Sequence, residues 1–552
     1  MRTVAEIEGC RQELRDRFPV WRPRTLADWL DDCAHRYGAR PFVITDEVTL
    51  SYADVAAQSR RIATGLIKLG VRPGDRVGML MANYPEFVPV KFAIARAGAI
   101  AVPFNYLYRT AELGFVLADS GCRVVITMSG YGALDYQAML DEIAPRWDTA
   151  EFAHRAPDRV PDLRHVVVLD TDGRARQGVL TVGDLLGSDE AAPQVAVAPD
   201  APGDMLYTSG TTGSPKGVLV THDAVLRTGY ASALTRGYQD GRRILFSLPC
   251  YHMFGYVEGV LSVMFVGGAI IPQPSFSADG YLAGIARHRA TDILCVPTMA
   301  VAMVQSPTRG DHDLSSLEAV LCGSAPAPIW LWEKVERDFG VSEIVTGYGM
   351  TECGGAMTLT LPEDPLSMTS ETVGRPKLAG SASVPGTDAL VRYEVVDGEL
   401  VSSGPATMVG YWNRPAETAA ALRDGRLFSG DLGVVRPDGY LEVTGRSKEL
   451  YKSGGELVMP KEIEDLLEAH PAISQAFAFG ITDDRWGEIG CVVVVPVSGA
   501  AVTEDAVLDI CRGNLARFKV PKRVVFYDAD ALPTTPTGKV QKFRLAQALS
   551  RR

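Results

Sequence analysis

Apolar positions in the first third of the chain alternate between two periods. TLADWLDDCAHRYG and the stretch from Tyr52 to Leu69 carry apolar residues at helical spacing, the second stopping at Gly70. DRVGML and AIAVPF read as buried strands joined through the helical PEFVPVKFAIARAG. Strands alternating with helices from Thr25 to about Leu169 predict an α/β layered architecture with a substantially parallel sheet. A stretch rich in Pro, Ala and Asp, Gly187 to Asp204, punctuates this half, and further apolar strands follow at Asp292–Val296 and Ala319–Cys322. Near residue 390 the texture changes. RYEVVDGELVSSG places Asp397-Gly398 between two alternating runs, a hairpin signal because Asp-Gly supplies the positive φ angles of a two-residue turn. LGVVRPDGYLEVTGR repeats the theme with Asp438-Gly439, giving a small β-rich module over about 375–446. Beyond Lys448 mixed structure returns: PKEIEDLLEAHP predicts a short amphipathic helix with Ile463, Leu466 and Leu467 inward, followed by strands AFAFGI and CVVVVPV. No fixed-period repeat is evident.

Composition narrows this picture. The 552 residues are 46% hydrophobic and 22% charged, which excludes collagen-like, low-complexity and largely disordered chains. At about 150 residues per domain, the length predicts three or four folding units. With 55 Lys+Arg against 67 Asp+Glu, the net charge of -12 argues against a duplex-coating nucleic-acid binder, so any polyanionic ligand must meet a local basic site. The nine cysteines show no CxxC pair and no metal-type spacing with histidine, and read as reduced thiols of a cytoplasmic protein. The N-terminus has no apolar signal core, and the most apolar stretch, Val260 to Pro272, falls short of the about 20 residues a membrane span needs.

The densest chemistry lies in YTSGTTGSPKG, Tyr207 to Gly217. Its glycines permit close backbone approach, its hydroxyls donate hydrogen bonds and Lys216 neutralises charge, a combination suited to a phosphate chain. It is not a Walker loop, which needs glycine before the lysine and Ser/Thr after it; here Pro215 and Gly217 stand in those places.

This string resembles the nucleotide loop of the adenylate-forming superfamily: acyl-CoA synthetases, aryl-CoA ligases, luciferases and stand-alone adenylation domains. The resemblance continues in order through GSAP (Gly323–Pro326), GYGMTE (Gly347–Glu352), SGD (Ser429–Asp431), GRSKELYKSGGE (Gly445–Glu456) and PTTPTGKVQK (Pro533–Lys542). It implies a large N-terminal domain of layered α/β subdomains with the β-rich module, residues 1–446, and a small mobile α+β C-terminal domain, residues 447–552, hinged near Lys448. It implies ATP-dependent activation of a carboxylic acid to an acyl-adenylate with release of pyrophosphate, then transfer to CoA. The alternative acceptors are a carrier protein, an amine or a partner enzyme.

The resemblance also distributes roles. Thr208, Ser209, Gly210, Thr211, Thr212, Gly213 and Lys216 would form the pyrophosphate-side cradle. Glu352 matches the magnesium-site glutamate, with Thr208 as second candidate metal ligand, and Thr351 the threonine at the α-phosphate. Tyr348, Gly349 and the backbone of Ser324, Ala325 and Pro326 would form the adenine slot. Asp431 would accept hydrogen bonds from the ribose hydroxyls, assisted by Arg446. Lys539 is the implied catalytic lysine, bridging substrate carboxylate and α-phosphate as charge builds. His252 in PCYHMFGY would line the acyl tunnel beside Val296–Met299 and Gly323; no aspartate stands between Tyr251 and Tyr256 to hold an amino-acid ammonium, so a plain organic acid is expected. Gly454 and Gly455 would let pantetheine pass close to backbone, with Trp486 and Phe518 as CoA contacts. The chain ends without a carrier module, so the acceptor is expected to be a separate molecule; a homodimer is the family expectation.

Overall fold

The computed structural model describes residues 2–153, 157–187, 195–208, 215–324, 327–446, 449–453, 456–483, 487–515, 518–535 and 538–550. Two seven-stranded sheets dominate. In the first, Glu343–Val345, Ala319–Cys322, Asp292–Cys295, Arg243–Phe246, Ala269–Pro272 and Pro41–Ile44 lie parallel in that order, with Thr49–Ser51 antiparallel at the edge. In the second, Ile100–Pro103, Arg76–Leu80, Cys122–Met128 and His165–Leu169 are parallel. Pro202–Thr208 runs parallel to Ile100–Pro103; Lys216–Thr221 and Gly410–Tyr411 then continue antiparallel to the edge. The strands AIAVP and AVLC are buried at every position, as strands covered on both faces require.

The amphipathic helices form where their periodicity predicts. Leu26–Tyr37 and Tyr52–Lys68 each begin with a reciprocal capping box, Thr25 with Asp28 and Ser51 with Asp54, and turn Trp29, Leu30, Val55 and Ile62 into the core. All nine cysteines are unpaired thiols, and all but Cys10 are buried. Among the described residues, no helix is long and apolar enough to cross a membrane.

The β-rich module is a five-stranded antiparallel sheet built from Arg392–Val396, Glu399–Ser403, Leu422–Arg423, Arg426–Val435 and Leu441–Arg446. The first hairpin turns on Asp397 and Gly398 with φ of 51° and 81°, the mirror-image two-residue turn its sequence predicts. The second differs. Only Gly439 takes a positive φ, 85°, and the loop closes between the Arg436 N–H and the Tyr440 carbonyl at 2.8 Å, because Pro437, which would flank an Asp438-Gly439 turn, has no N–H to donate to that carbonyl. Beyond Tyr451, strands Ile473–Asp483, Gly487–Pro496 and Arg523–Phe526 with helices Pro460–Glu468, Glu504–Asn514 and Lys542–Ser550 bury cores of their own, one around Ile463, Leu467 and Val492, the other around Phe479, Val493 and Leu545.

Candidate active site

The residues flanking the glycine-rich string are held by strand pairing, with Thr208 opposite Lys216. Ser209, Gly210, Thr211, Thr212 and Gly213 lie outside the described residues. On the other side of the Lys216–Thr221 strand sits Gly410–Tyr411, with Val218 opposite Tyr411. The Tyr411 ring faces the Lys216 ammonium at 5.1 Å, and its hydroxyl donates to Glu352 Oε1 at 2.9 Å. The Met408 N–H donates to the Glu352 carbonyl at 2.7 Å.

Thr351 and Glu352 are buried in a 3₁₀ turn, Thr351–Cys353, that Gly354 closes with a left-handed φ of 68°. The turn joins the two strands of the hairpin Gly347–Met350 and Gly355–Leu359, where a Cβ at Gly349 would lie 2.2 Å from the Gly355 carbonyl oxygen. Only glycine admits that approach. Burial pushes the Glu352 carboxyl above its ordinary pKa; its own backbone, Tyr411 and the Arg446 charge pull the other way, and Asp431 adds to the rise. A buried carboxylate compensated this lightly is suited to a cation. No group of three or more His, Cys, Asp and Glu gathers among the described residues. A single hard oxygen ligand of this kind could hold Mg²⁺, which commonly uses few protein carboxylates and keeps several waters.

Asp431 and Arg446 are cross-strand partners in the β-rich module, and Arg446 Nε lies 2.8 Å from Asp431 Oδ1. The Tyr348 hydroxyl donates to Asp431 Oδ2 at 2.6 Å. The carboxylate is therefore oriented from both sides before any ligand arrives. Ser324 follows the Ala319–Cys322 strand with φ 73°, a left-handed conformation uncommon outside glycine and characteristic of functional turns. Ala325 and Pro326 lie outside the described residues.

The PCYHMFGY segment leads into a π-helical stretch, Phe254–Leu261, an uncommon geometry often found at functional sites. His252 Nδ1 accepts the Phe254 N–H at 3.2 Å, which leaves the proton of the neutral ring on Nε2. Burial, then the Lys539 charge, lowers its pKa to about 4, so the ring is neutral at physiological pH. A Cβ on Gly323 would meet the Phe254 ring at 3.2 Å, which places Phe254 against the GSAP strand end.

Lys539 reaches this place from the opposite end of the sequence. Gly538, φ 76°, lies so close to Val296 that an added Cβ would sit 3.1 Å from Val296 Cγ2. Thr535 Oγ1 accepts the Lys539 N–H at 3.1 Å, and the Thr535 N–H donates to the Lys539 carbonyl at 2.7 Å. The residue as a whole remains exposed. Desolvation by the surrounding protein, then the Arg446 charge, lowers its pKa to about 8 against the opposing pull of Glu449 and Asp431.

The structure thus gathers Thr208, Lys216, Thr351, Glu352, Tyr348, Asp431, Arg446, His252 and Lys539 around linked contacts or within each other's electrostatic reach. Lys448, Gly454, Gly455 and Trp486 lie outside the described residues. Phe518, read from sequence as a CoA contact, packs partly buried on the core around Ile463. Sequence reasoning missed Tyr411. The signal was a Gly-Tyr-Trp string ahead of Pro415, in which Gly410 leaves no room for a side chain: a Cβ would come 2.8 Å from Thr418 Cγ2.

Known proteins resemble the chain over most of its length. The AMP-binding enzyme family model matches residues 30–412, and the AMP-binding enzyme C-terminal domain matches residues 462–539. A feruloyl-CoA synthase of Amycolatopsis sp is 34% identical over 493 residues, covering 89% of this chain and 92% of that one. A mitochondrial medium-chain acyl-CoA ligase of Mus musculus is 29% identical over 95% of this chain and 87% of its own length. The solved o-succinylbenzoate CoA synthetase of Bacillus subtilis, in complex with its acyl-adenylate intermediate, superposes with a TM-score of 0.75 at 27% identity, covering 94% of this chain and 97% of that one. By the span of the family model and these likenesses over nearly its whole length, the chain belongs to the AMP-binding enzymes.

Proposed function

We propose that the residues gathered in this cleft carry out the two half-reactions of an acyl-CoA synthetase. The enzyme is an acid–thiol ligase: it joins a carboxylic acid to AMP with release of pyrophosphate, then transfers the acyl group to CoA. The observation that carries the assignment of roles is the approach of the Lys539 loop to the acyl-side residues, where a Cβ on Gly538 would lie 3.1 Å from Val296 Cγ2, with Arg446 and Asp431 acting on the Lys539 charge and Lys539 on His252.

Activation sets one anion against another, so the site must neutralise both and hold them in line. Lys216 and the hydroxyls around Thr208 receive the β and γ phosphates. Glu352, with Thr208 as second candidate, holds Mg²⁺, which when bound neutralises charge on the phosphates. Thr351 contacts the α-phosphate. Asp431, fixed by Tyr348 and Arg446, binds the ribose, and the Ser324 turn with Tyr348 and Gly349 receives the adenine. Lys539 stabilises the charge that builds between carboxylate and α-phosphate. His252, neutral and uncharged toward the acyl pocket, leaves a site fitted to an organic acid with an apolar body.

The boundary near Lys448 serves as the hinge between residues 1–446 and 447–552, so that the C-terminal domain presents first the Lys539 loop, then the Lys452–Glu456 segment, to the adenylate. The testing experiment is a carboxylic-acid panel assayed for pyrophosphate release with and without CoA. Release that depends on the acid, with thioester formed only when CoA is added, is expected; no release across aryl, medium-chain and polycyclic acids would overturn the reading.

A further inference from the structure

Tyr411 has no part in the chemistry described above, yet it touches two groups that do. Its ring carries the Lys216 ammonium at 5.1 Å, and its hydroxyl donates to Glu352 Oε1 at 2.9 Å. Among the described residues it is the side chain that donates to this carboxylate. The backbone around it is fixed on three sides. Trp412 N–H donates to the Gly217 carbonyl at 2.7 Å and Val409 N–H to the Leu219 carbonyl at 2.8 Å, locking the segment to the strand that bears Lys216. Met408 N–H holds the Glu352 carbonyl at 2.7 Å. On the outer side, Asp119 accepts from Arg414 at 2.7 Å, from the Tyr207 hydroxyl at 2.8 Å and, through its carbonyl, from the Trp412 indole at 3.0 Å. The same carboxylate thus ties Tyr207, next to Thr208, to the segment that carries Tyr411.

From this geometry we propose that Tyr411 is a positioning residue that couples the phosphate-side lysine to the metal-side carboxylate, so that Lys216 and Glu352 are set together for Mg-ATP. The proposal rests on the reading of Glu352 as the Mg²⁺ ligand. The hydroxyl keeps one carboxylate oxygen occupied and so orients the other for the cation. The ring gives Lys216 a seat that holds the ammonium without cancelling its charge, as a carboxylate partner would. A tyrosine that merely fills space would make neither contact necessary, and its hydroxyl would be dispensable.

The test separates the two contacts. Thermal melting of the full-length enzyme is followed at fixed ATP while Mg²⁺ is titrated, and again with ATP in EDTA. Tyr411→Phe keeps the ring and removes the hydroxyl. It should raise the Mg²⁺ concentration at half-effect about tenfold, the scale of losing an outer-shell partner, with the response to ATP in EDTA unchanged. Tyr411→Leu removes the ring as well and should in addition weaken ATP binding in EDTA about fivefold, within the range of a partly exposed cation–π contact. Melting without ligand reports folding of each variant separately. A Tyr411→Phe titration that superimposes on wild type overturns the proposal and leaves the Mg²⁺ reading of Glu352 standing. A wild-type ATP response that Mg²⁺ does not alter overturns both.

Discussion

The lowered pKa of Lys539 makes adenylate formation sensitive to alkaline pH in a way the thioester step should not share. In the role proposed for Lys539, the charged ammonium is the form that would meet the developing negative charge. Desolvation by the surrounding protein and the Arg446 charge bring its pKa down to about 8 from the ordinary 10.5. The proton is therefore held below about pH 8 and lost as pH rises through it. At pH 9 about a tenth of the free enzyme would retain the charge, whereas a lysine at its ordinary value would be almost wholly charged. The expected result is a fall of about tenfold per pH unit in kcat/KM for acid-dependent pyrophosphate release above pH 8, since kcat/KM reports the free enzyme. Bound ATP brings negative charge to the ammonium, so the corresponding limb in kcat should move to higher pH. Lys539→Arg keeps a permanent charge and should lose the limb at a lower absolute rate, because a planar fork does not replace a compact ammonium. Lys539→Ala should lower adenylation by about 10²–10³ and leave transfer from supplied acyl-adenylate to CoA largely intact. A wild-type profile flat through pH 9, or a limb that persists unchanged in Lys539→Arg, would refute the assignment; so would equal losses in both half-reactions.

Three further outcomes follow from the same structure. Asp431→Asn keeps the shape of the side chain but loses the charge that Arg446 and Tyr348 hold in place. Hydrogen bonds to charged groups contribute about 1.5–3 kcal/mol, so KM for ATP should rise about ten- to hundredfold while KM for the acid stays near wild type. His252, whose pKa is lowered to about 4, stays neutral from about pH 5 upward, so kcat/KM for the acid should show no inflection near the ordinary histidine value of 6.5. A clear limb there that vanishes in His252→Gln would show the ring titrating where the structure keeps it neutral. The third concerns Lys377 and Glu258, a 2.6 Å ion pair with side chains 0% and 1% exposed that fixes the π-helical stretch behind Phe254. Removing either charge alone should cost about 3–5 kcal/mol in urea unfolding, and Lys377→Met with Glu258→Gln together should recover much of it. Additive losses in the double variant would show that the two groups do not depend on one another.

What the sequence made legible divides by range. The Asp397-Gly398 turn, the capped helices and the buried strands follow from neighbours a few residues apart, and the structure reproduces them. The candidate site was legible because its residues sit in strings dense enough to resemble a family, not because any spacing disclosed their geometry. Tyr411 reaches Glu352 across 59 positions and Lys377 reaches Glu258 across 119, and no local period carries such a pairing. Each partner, taken alone, looks like an ordinary core tyrosine or surface charge. The Pro437-Asp438-Gly439 loop shows a nearer limit: the dipeptide was visible, but the preceding proline changed which residue could turn.

The net charge of -12 does not exclude a small polyanionic ligand, because its binding depends on a few local cations and on how they are held. Each of the three cations assigned to ATP has a different partner. Lys216 rests on an aromatic face, Arg446 on a carboxylate it shares with Tyr348, and Lys539 where desolvation and Arg446 lower its pKa against the opposing pull of Glu449 and Asp431. The first keeps its whole charge for the phosphates, since a ring attracts a cation without neutralising it. The second is largely committed to orienting Asp431, so it acts on the nucleotide mainly through that carboxylate. The third has its pKa lowered to about 8, and in the proposed role the arrival of phosphate and carboxylate charge would raise it again. On the proposed roles, a negative substrate would strengthen the cation at the reacting atoms, Lys539, while the cation at the outer phosphates, Lys216, would be set beforehand. That division suits an enzyme that must stabilise charge most strongly where it develops in the transition state.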